Sequence, residues 1–185
     1  FNKAKNPDAI EHIFGLDDDD MHGAFLSVHN HAVAKGIGGC VAAWNAAAEK
    51  AQGEILIQLS DDWNPPMHWD QIIIDAIGDT SESKVLAISD GHRTDKLLCM
   101  AILTRKRYRQ QGFMFHPEFF SVYSDNYFTD KAYEDGVIIE ARDIVFEHLH
   151  PIFGKAEWDE TYARSNSDKN FANGKATYEK LIAQK

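Results

Sequence analysis

Residues 51–70 read AQGEILIQLSDDWNPPMHWD, and the reading of the fold turns on this stretch. An apolar run, Ile55-Leu56-Ile57-Gln58-Leu59, follows Gly53 and ends in Ser60-Asp61-Asp62. The run is short, rich in β-branched residues and preceded by a glycine, so it predicts a buried strand. Asp61 and Asp62 then fall at the C-terminal end of that strand, where open α/β sheets place their ligands. Adjacent carboxylates repel unless a positive group, such as a divalent metal, sits near them. The competing reading is a solvated pair that caps the next helix.

Moving upstream, Val41 to Gln52 is an alanine-rich helix with Val41, Trp44, Ala48 and Ala51 on one face and Gly53 as its stop. Asn45 follows Trp44 and lies either on the helix surface or toward a ligand crevice. Ile10 to Leu16 predicts another strand, and it runs into Asp17-Asp18-Asp19-Asp20. A calcium loop is excluded, since the twelfth position counted from Asp17 is Val28 rather than Glu. A solvated acidic loop is the ordinary reading of four aspartates. Two strands that each end in clustered carboxylates make a repeated design, and that favours function. Phe25 to His29 is a candidate short strand, and Lys35 to Gly39 a turn without a dinucleotide fingerprint.

Downstream, Asn64 is expected to cap a helix with Pro65 in its first turn; Trp69, Ile72, Ile73, Ala76 and Ile77 carry it to Gly78. Val85 to Ser89 is a further buried strand before Asp90-Gly91. Strands alternating with helices predict an α/β fold with a mixed, mainly parallel sheet flanked by helices.

The second half changes character. Leu97 to Leu103 is apolar, and Arg105 to Arg109 is a basic amphipathic helix. Phe113, Phe115, Phe119, Phe120, Tyr123, Tyr127 and Phe128 supply core, and Asp125 lies among them before a helix expected at Thr129 to Tyr133. Asp125 is therefore either an N-cap or a functional carboxylate. Val137 to Glu140 and Ile144 to Leu149 read as strands. His148 and His150 stand at i and i+2, a strand spacing that points both to one face. Neutral imidazoles so placed serve either structure or a divalent metal. Residues 156–185 form a polar tail with a short helix near Thr177 to Ala183, docked by Leu181 and Ile182.

The 185 residues carry a net charge of −10, which argues against bare affinity for nucleic acid or anionic lipid. No apolar run approaches membrane-spanning length. Cys40 and Cys99 suggest neither a disulfide framework nor a zinc site, so a reducing compartment is expected: the cytoplasm, with the inner face of a membrane as an extension. Phe1 is not a natural start residue, which suggests a processed chain or a fragment.

Together these features resemble the family 2 glycosyltransferases, which have the GT-A fold. The strand IEHIFGLDDDD resembles the family's second strand with its nucleotide-contacting aspartates. GGCVAAWNAAAEKAQGEILIQLSDDW resembles the helix–Gly–strand run that ends in the DxD-type motif. Residues 113–136 resemble the acceptor side, where a catalytic carboxylate precedes a helix, and FEHLHP resembles the late strand whose histidine helps hold metal or diphosphate. The resemblance spans roughly residues 8 to 155 of a single domain. The first strand and helix of such a domain have no counterpart before Phe1, the DxD motif appears as Ser60-Asp61-Asp62, and Trp44 stands where many members have Arg.

The resemblance implies metal-dependent, inverting transfer of a sugar from a nucleoside-diphosphate sugar to a saccharide or other hydroxyl acceptor. Asp17, Asp18, Asp19, Asn45 and Asp61 would contact the nucleotide. Asp62, Asp61, His148 and His150 would hold Mn²⁺ or Mg²⁺, and Asp125 would be the general base. A nucleotidyltransferase and a non-catalytic nucleotide- or sugar-binding domain are the alternatives. The first would want a Gly-rich phosphate loop that this chain does not contain.

Overall fold

Val85-Leu86-Ala87-Ile88 has no polar face, and burial on both sides is the reason. All four residues are buried, with Val85 and Ala87 in one core and Leu86 and Ile88 in another, the alternation that a pleated strand imposes. In the computed structural model, which describes residues 2–17, 30–35 and 38–184, this strand is the centre of an α/β fold with mixed sheets. Asp18, Asp19 and Asp20 and the strand expected at Phe25 to His29 lie outside the described residues.

The main sheet has the order β3 (Ile55–Ile57), β6 (Ile102–Thr104), β5 (Val85–Ser89), β7 (Ile138–Val145). β6 runs against both of its neighbours, and β5 pairs in parallel with β7. β3, β5 and β7 therefore point one way, with β6 reversed between two of them. The expected mainly parallel sheet is corrected: two of its three pairings are antiparallel. A parallel neighbour needs a crossover, usually a helix, and the segment between β5 and β6 contains none. Two two-stranded pairs flank this sheet. β1 (Phe14–Leu16) lies parallel to β2 (His31–Val33), and β4 (Trp63–Asn64) lies antiparallel to β8 (Glu147–His148).

Six α-helices lie among the described residues. α1 (Gly39–Lys50), α4 (Ser124–Glu134) and α6 (Asp168–Ile182) cover one face of the sheet, where Val41, Leu56, Leu103, Phe115, Phe119, Phe128 and Leu181 form a core. α2 (Trp69–Ile77) covers the other, with Trp69, Ile73 and Ile77 against Ile102 and Phe146. α3 (Arg105–Gln111) follows β6 directly, capped by the Thr104 hydroxyl, and α5 (Glu160–Ser165) stands near the C-terminus. None of these helices is long and apolar enough to cross a membrane.

Several local expectations change. Helix α1 ends at Lys50 with Ala51 as its cap, so Gly53 is not its stop; the Gly53 carbonyl instead accepts the Arg105 guanidinium at 2.8 and 2.6 Å. Asn64 caps no helix, because it is drawn into β4 opposite Glu147, and α2 begins only at Trp69 after the left-handed His68. The strands expected at Val137 to Glu140 and Ile144 to Leu149 are resolved as one long β7 followed by β8. The tail holds a fifteen-residue helix rather than a short one. Phe171, Gly174, Tyr178 and Leu181 recur at three and four residues, which is one helical face, and Tyr123 packs against both Phe171 and Tyr178.

The shared direction of β3, β5 and β7 positions the site. Their C-terminal ends fall on one edge, and the segments carrying Asp62, Asp90 and His148 leave from that edge. Gly39 fixes the neighbouring wall. Its φ of 84° opens α1, and a Cβ there would lie 2.5 Å from the Phe120 carbonyl, so only glycine brings this helix against the segment that leads to Asp125.

Candidate functional site

Pairing of β4 with β8 sets Trp63 opposite His148, and the Leu149 amide donates to the Asp62 carbonyl at 2.7 Å. That register lays the His148 ring on Trp63, 4.1 Å apart and nearly parallel, and brings His148 Nε2 to 3.0 Å from Asp62 Oδ2. The His148 backbone is held as well: its amide donates to the Asp90 carbonyl at 3.0 Å, and His92 Nε2 lies 3.1 Å from its carbonyl. Asp90 is buried and accepts the amides of His92 and Arg93, which closes the turn after β5.

Asp62 Oδ2 also accepts the Tyr162 hydroxyl at 3.1 Å. Burial alone would raise the Asp62 carboxyl, but the hydrogen bonds from His148 and Tyr162 outweigh it and hold the group below the usual aspartate range. The Tyr162 phenol is pushed up to about 12 by burial and by the Asp62 charge. His150 completes the cluster, with its ring 5.2 Å from His148 and 4.8 Å from Tyr162. Burial, together with His148, lowers the His150 pKa and favours neutral imidazole.

Two acceptor atoms here are buried without a hydrogen-bond partner: Asp62 Oδ1 and His148 Nδ1. If His148 donates through Nε2 to the carboxylate, a neutral ring has only a lone pair at Nδ1. Unsatisfied buried acceptors are costly, and a cation or a proton donor is what relieves them. A carboxylate and an imidazole in contact are ligand types that suit a divalent cation; with Nε2 facing Asp62 the Nδ1 edge points away, so one cation would take Asp62 together with Nε2 in place of the present hydrogen bond, its remaining ligands coming from substrate or water. Among the described residues, no group of three or more His, Cys, Asp or Glu side chains is arranged to hold a metal by itself.

Asp125 occupies a different environment. It lies in the first turn of α4, after the left-handed Tyr123, rather than at the cap. Its carboxylate accepts the Asn126 amide at 2.9 Å. Burial raises its carboxyl above the ordinary aspartate value. The Asp125 charge reaches both cysteines, since burial pushes the Cys40 thiol up to about 12, with Asp17 and Asp125 adding to that rise, and Asp125 and Asp90 act likewise on Cys99.

The other expected site residues are placed as follows. Asp61 is exposed beside the Asp62 cluster, and its charge reaches Tyr162. Asn45 is committed elsewhere: its amide donates to the Phe115 carbonyl at 2.8 Å and accepts the Met114 and Phe115 amides, tying α1 to the aromatic segment. Asp17 stands at the start of α1, with its Oδ1 within 3.8 Å of a Cβ placed on Gly38. Asp18 and Asp19 lie outside the described residues. Two residues of the site escaped the sequence reading. Asp90 follows a buried strand as Asp62 does, which was a usable signal; Tyr162, a lone tyrosine in a polar tail, carried none. Comparison with protein-family models, curated proteins and solved structures gives no match to this chain.

Proposed function

We propose that this chain is a GT-A-like glycosyltransferase domain of the family 2 type. It would move a sugar from a nucleoside-diphosphate sugar to an acceptor hydroxyl, with Mn²⁺ or Mg²⁺ and with inversion. The observation that carries the reading is the meeting of Asp62 with His148 across the β4–β8 pair, with Asp62 Oδ1 and His148 Nδ1 left as buried acceptors lacking a partner.

Asp62 and His148 would hold the cation, with Asp61 and His150 flanking them. When bound, the cation neutralises charge on the departing diphosphate. Asp17 would contact base and ribose, as the resemblance implies also for Asp18 and Asp19, which lie outside the described residues. The acceptor oxygen bonds to the anomeric carbon as the bond to the diphosphate breaks, and Asp125 takes the hydroxyl proton. A carboxyl pKa raised by burial suits that role, because a base works best when its pKa approaches the working pH.

The test is calorimetry of UDP, GDP and dTDP with and without Mn²⁺, followed by hydrolysis and transfer assays of their sugars. Asp62→Ala should abolish the Mn²⁺-dependent part of binding. Wild-type chain that binds no nucleoside diphosphate with any divalent metal sinks the reading. Metal-dependent binding without turnover of any donor favours the non-catalytic alternative.

A further inference from the structure

Every residue from Gly154 to Arg164 is exposed except Tyr162. This segment leaves the 3₁₀ turn at Pro151–Phe153 through Gly154, whose φ is 67° and beside which a Cβ would meet nothing within 4 Å. It rejoins the body at Ser165, whose carbonyl accepts the Ser121 hydroxyl at 3.3 Å, and at α6. Between those two points Lys155 pairs with Glu147 at 3.1 Å and the exposed Trp158 stands edge-on to His150, while Tyr162 is the half-buried contact that reaches Asp62. The ring packs edge-on to His150, and the hydroxyl donates to Asp62 Oδ2. The Asp159 carboxylate caps α5 by accepting the Tyr162 amide at 2.8 Å, so cap and anchor meet at a single residue.

Asp62 Oδ1 is closed to solvent, and Oδ2 already accepts two donors. A cation can reach this carboxylate only after a neighbour moves. Trp63 is buried, and His148 is fixed by strand pairing and by backbone bonds to Asp90 and His92. The segment bearing Tyr162 is the neighbour held most lightly. We infer that residues 154–164 are a latch: the Tyr162–Asp62 hydrogen bond holds the segment closed over the carboxylate, and a divalent cation is admitted when that bond opens. The inference rests on the cation reading of Asp62 proposed above. A cation that engages both oxygens of the Asp62 carboxylate must displace the Tyr162 hydroxyl from Oδ2, so loss of the hydroxyl favours the cation.

Tyr162→Phe keeps the ring against His150 and removes only the hydroxyl, so the fold should persist, which a single cooperative unfolding transition with a slightly lower Tm would verify. The full chain is titrated with Mn²⁺ alone by calorimetry, as wild type, Tyr162→Phe and Asp62→Asn. A hydrogen bond to a charged group that exists only in the closed state should cost Mn²⁺ affinity, so Tyr162→Phe binds about tenfold more tightly. Asp62→Asn should bind no Mn²⁺. Tryptic cleavage after Lys155 and Arg164 gives a readout without metal, and it should be faster in Tyr162→Phe than in wild type. Adding Mn²⁺ to wild type should speed the same cuts. Equal or weaker Mn²⁺ binding by Tyr162→Phe overturns the latch alone and makes Tyr162 an orienting partner of Asp62 or a bystander. Mn²⁺ binding to neither wild type nor Tyr162→Phe removes the cation site, and the latch with it.

Discussion

Asp62 and Asp125 are both half-buried aspartates at the ends of secondary-structure elements, yet their surroundings push them in opposite directions. Asp62 sits between an imidazole and a phenol, both donating to one oxygen, and its carboxyl is held below the ordinary value. Asp125 accepts one neighbouring backbone amide, and burial raises its carboxyl. A carboxylate stabilised as an anion suits the holding of positive charge. One destabilised as an anion suits the taking of a proton. Opposed environments of this kind are how two carboxylates come to divide such labour.

The sharpest break in that comparison comes from Asp125→Asn. As a general base, Asp125 should lose roughly 10²–10⁴ in turnover on substitution while donor binding persists. The measurement is transfer rate beside donor affinity, in a preparation whose wild type is active with the same donor. Near-normal turnover would make Asp125 a structural carboxylate, with Glu134 and Asp135 the next residues to test. Asp135 is tied to buried Arg107 at 2.8 Å and Glu134 to Lys131 at 3.3 Å, so each would have to leave an ion pair to act.

The histidine pair sharpens the Asp62 side. His148 touches Asp62 and stacks on Trp63, whereas the His150 Nδ1 accepts the Ile152 amide at 3.1 Å and its ring faces Tyr162. His148→Ala should weaken Mn²⁺-dependent nucleotide binding by roughly 10–100-fold, the range seen when a metal site loses a supporting group. His150→Ala should leave it nearly unchanged. The check is calorimetry on both variants; equal losses would show that the two rings act as one unit.

Periodicity made the body of the fold readable and left its joints obscure. Val85 to Ser89 and the helix ended by Gly78 stand where apolar spacing and a left-handed glycine put them. The rings of His148 and His150 are 5.2 Å apart, but the expected strand spacing does not hold them there, since β8 ends at His148 and His150 caps the 3₁₀ turn at Pro151–Phe153. The reversal of β6 was not readable, because a fully buried strand looks the same in either direction. Asn64 misled for a related reason: the Asn-Pro pair is a capping signal, but pairing with Glu147, more than eighty residues away, decides its conformation. Tyr162 reaches Asp62 across a hundred residues of sequence, and no local pattern encodes such a contact.

The smallest expected effect is also the most direct test of the contrast, because it asks only for stability. The ordinary aspartate value is 3.8 for both groups. Asp62 has a depressed folded pKa. Its stabilisation is therefore fully present above 3.8 and is lost as pH falls through the folded value. Asp62→Asn should be less stable than wild type by about 1 kcal/mol at pH 7, since a neutral acceptor forms weaker hydrogen bonds, and the gap should close only in strong acid. Asp125 has a raised folded pKa. Between 3.8 and that value the native state binds more protons than the unfolded chain, so stability falls as pH rises. Asp125→Asn should then equal or exceed wild type in Tm at pH 7, with its advantage shrinking as pH falls toward 3.8. Urea unfolding of the three proteins at pH 7, 5 and 3 would measure both slopes. The differences from wild type should have opposite signs at pH 7 and should change on opposite sides of 3.8. Two variants that lose stability together, with the same pH dependence, would mean that the two aspartates share one kind of environment, and the division between cation holder and base would have to be abandoned.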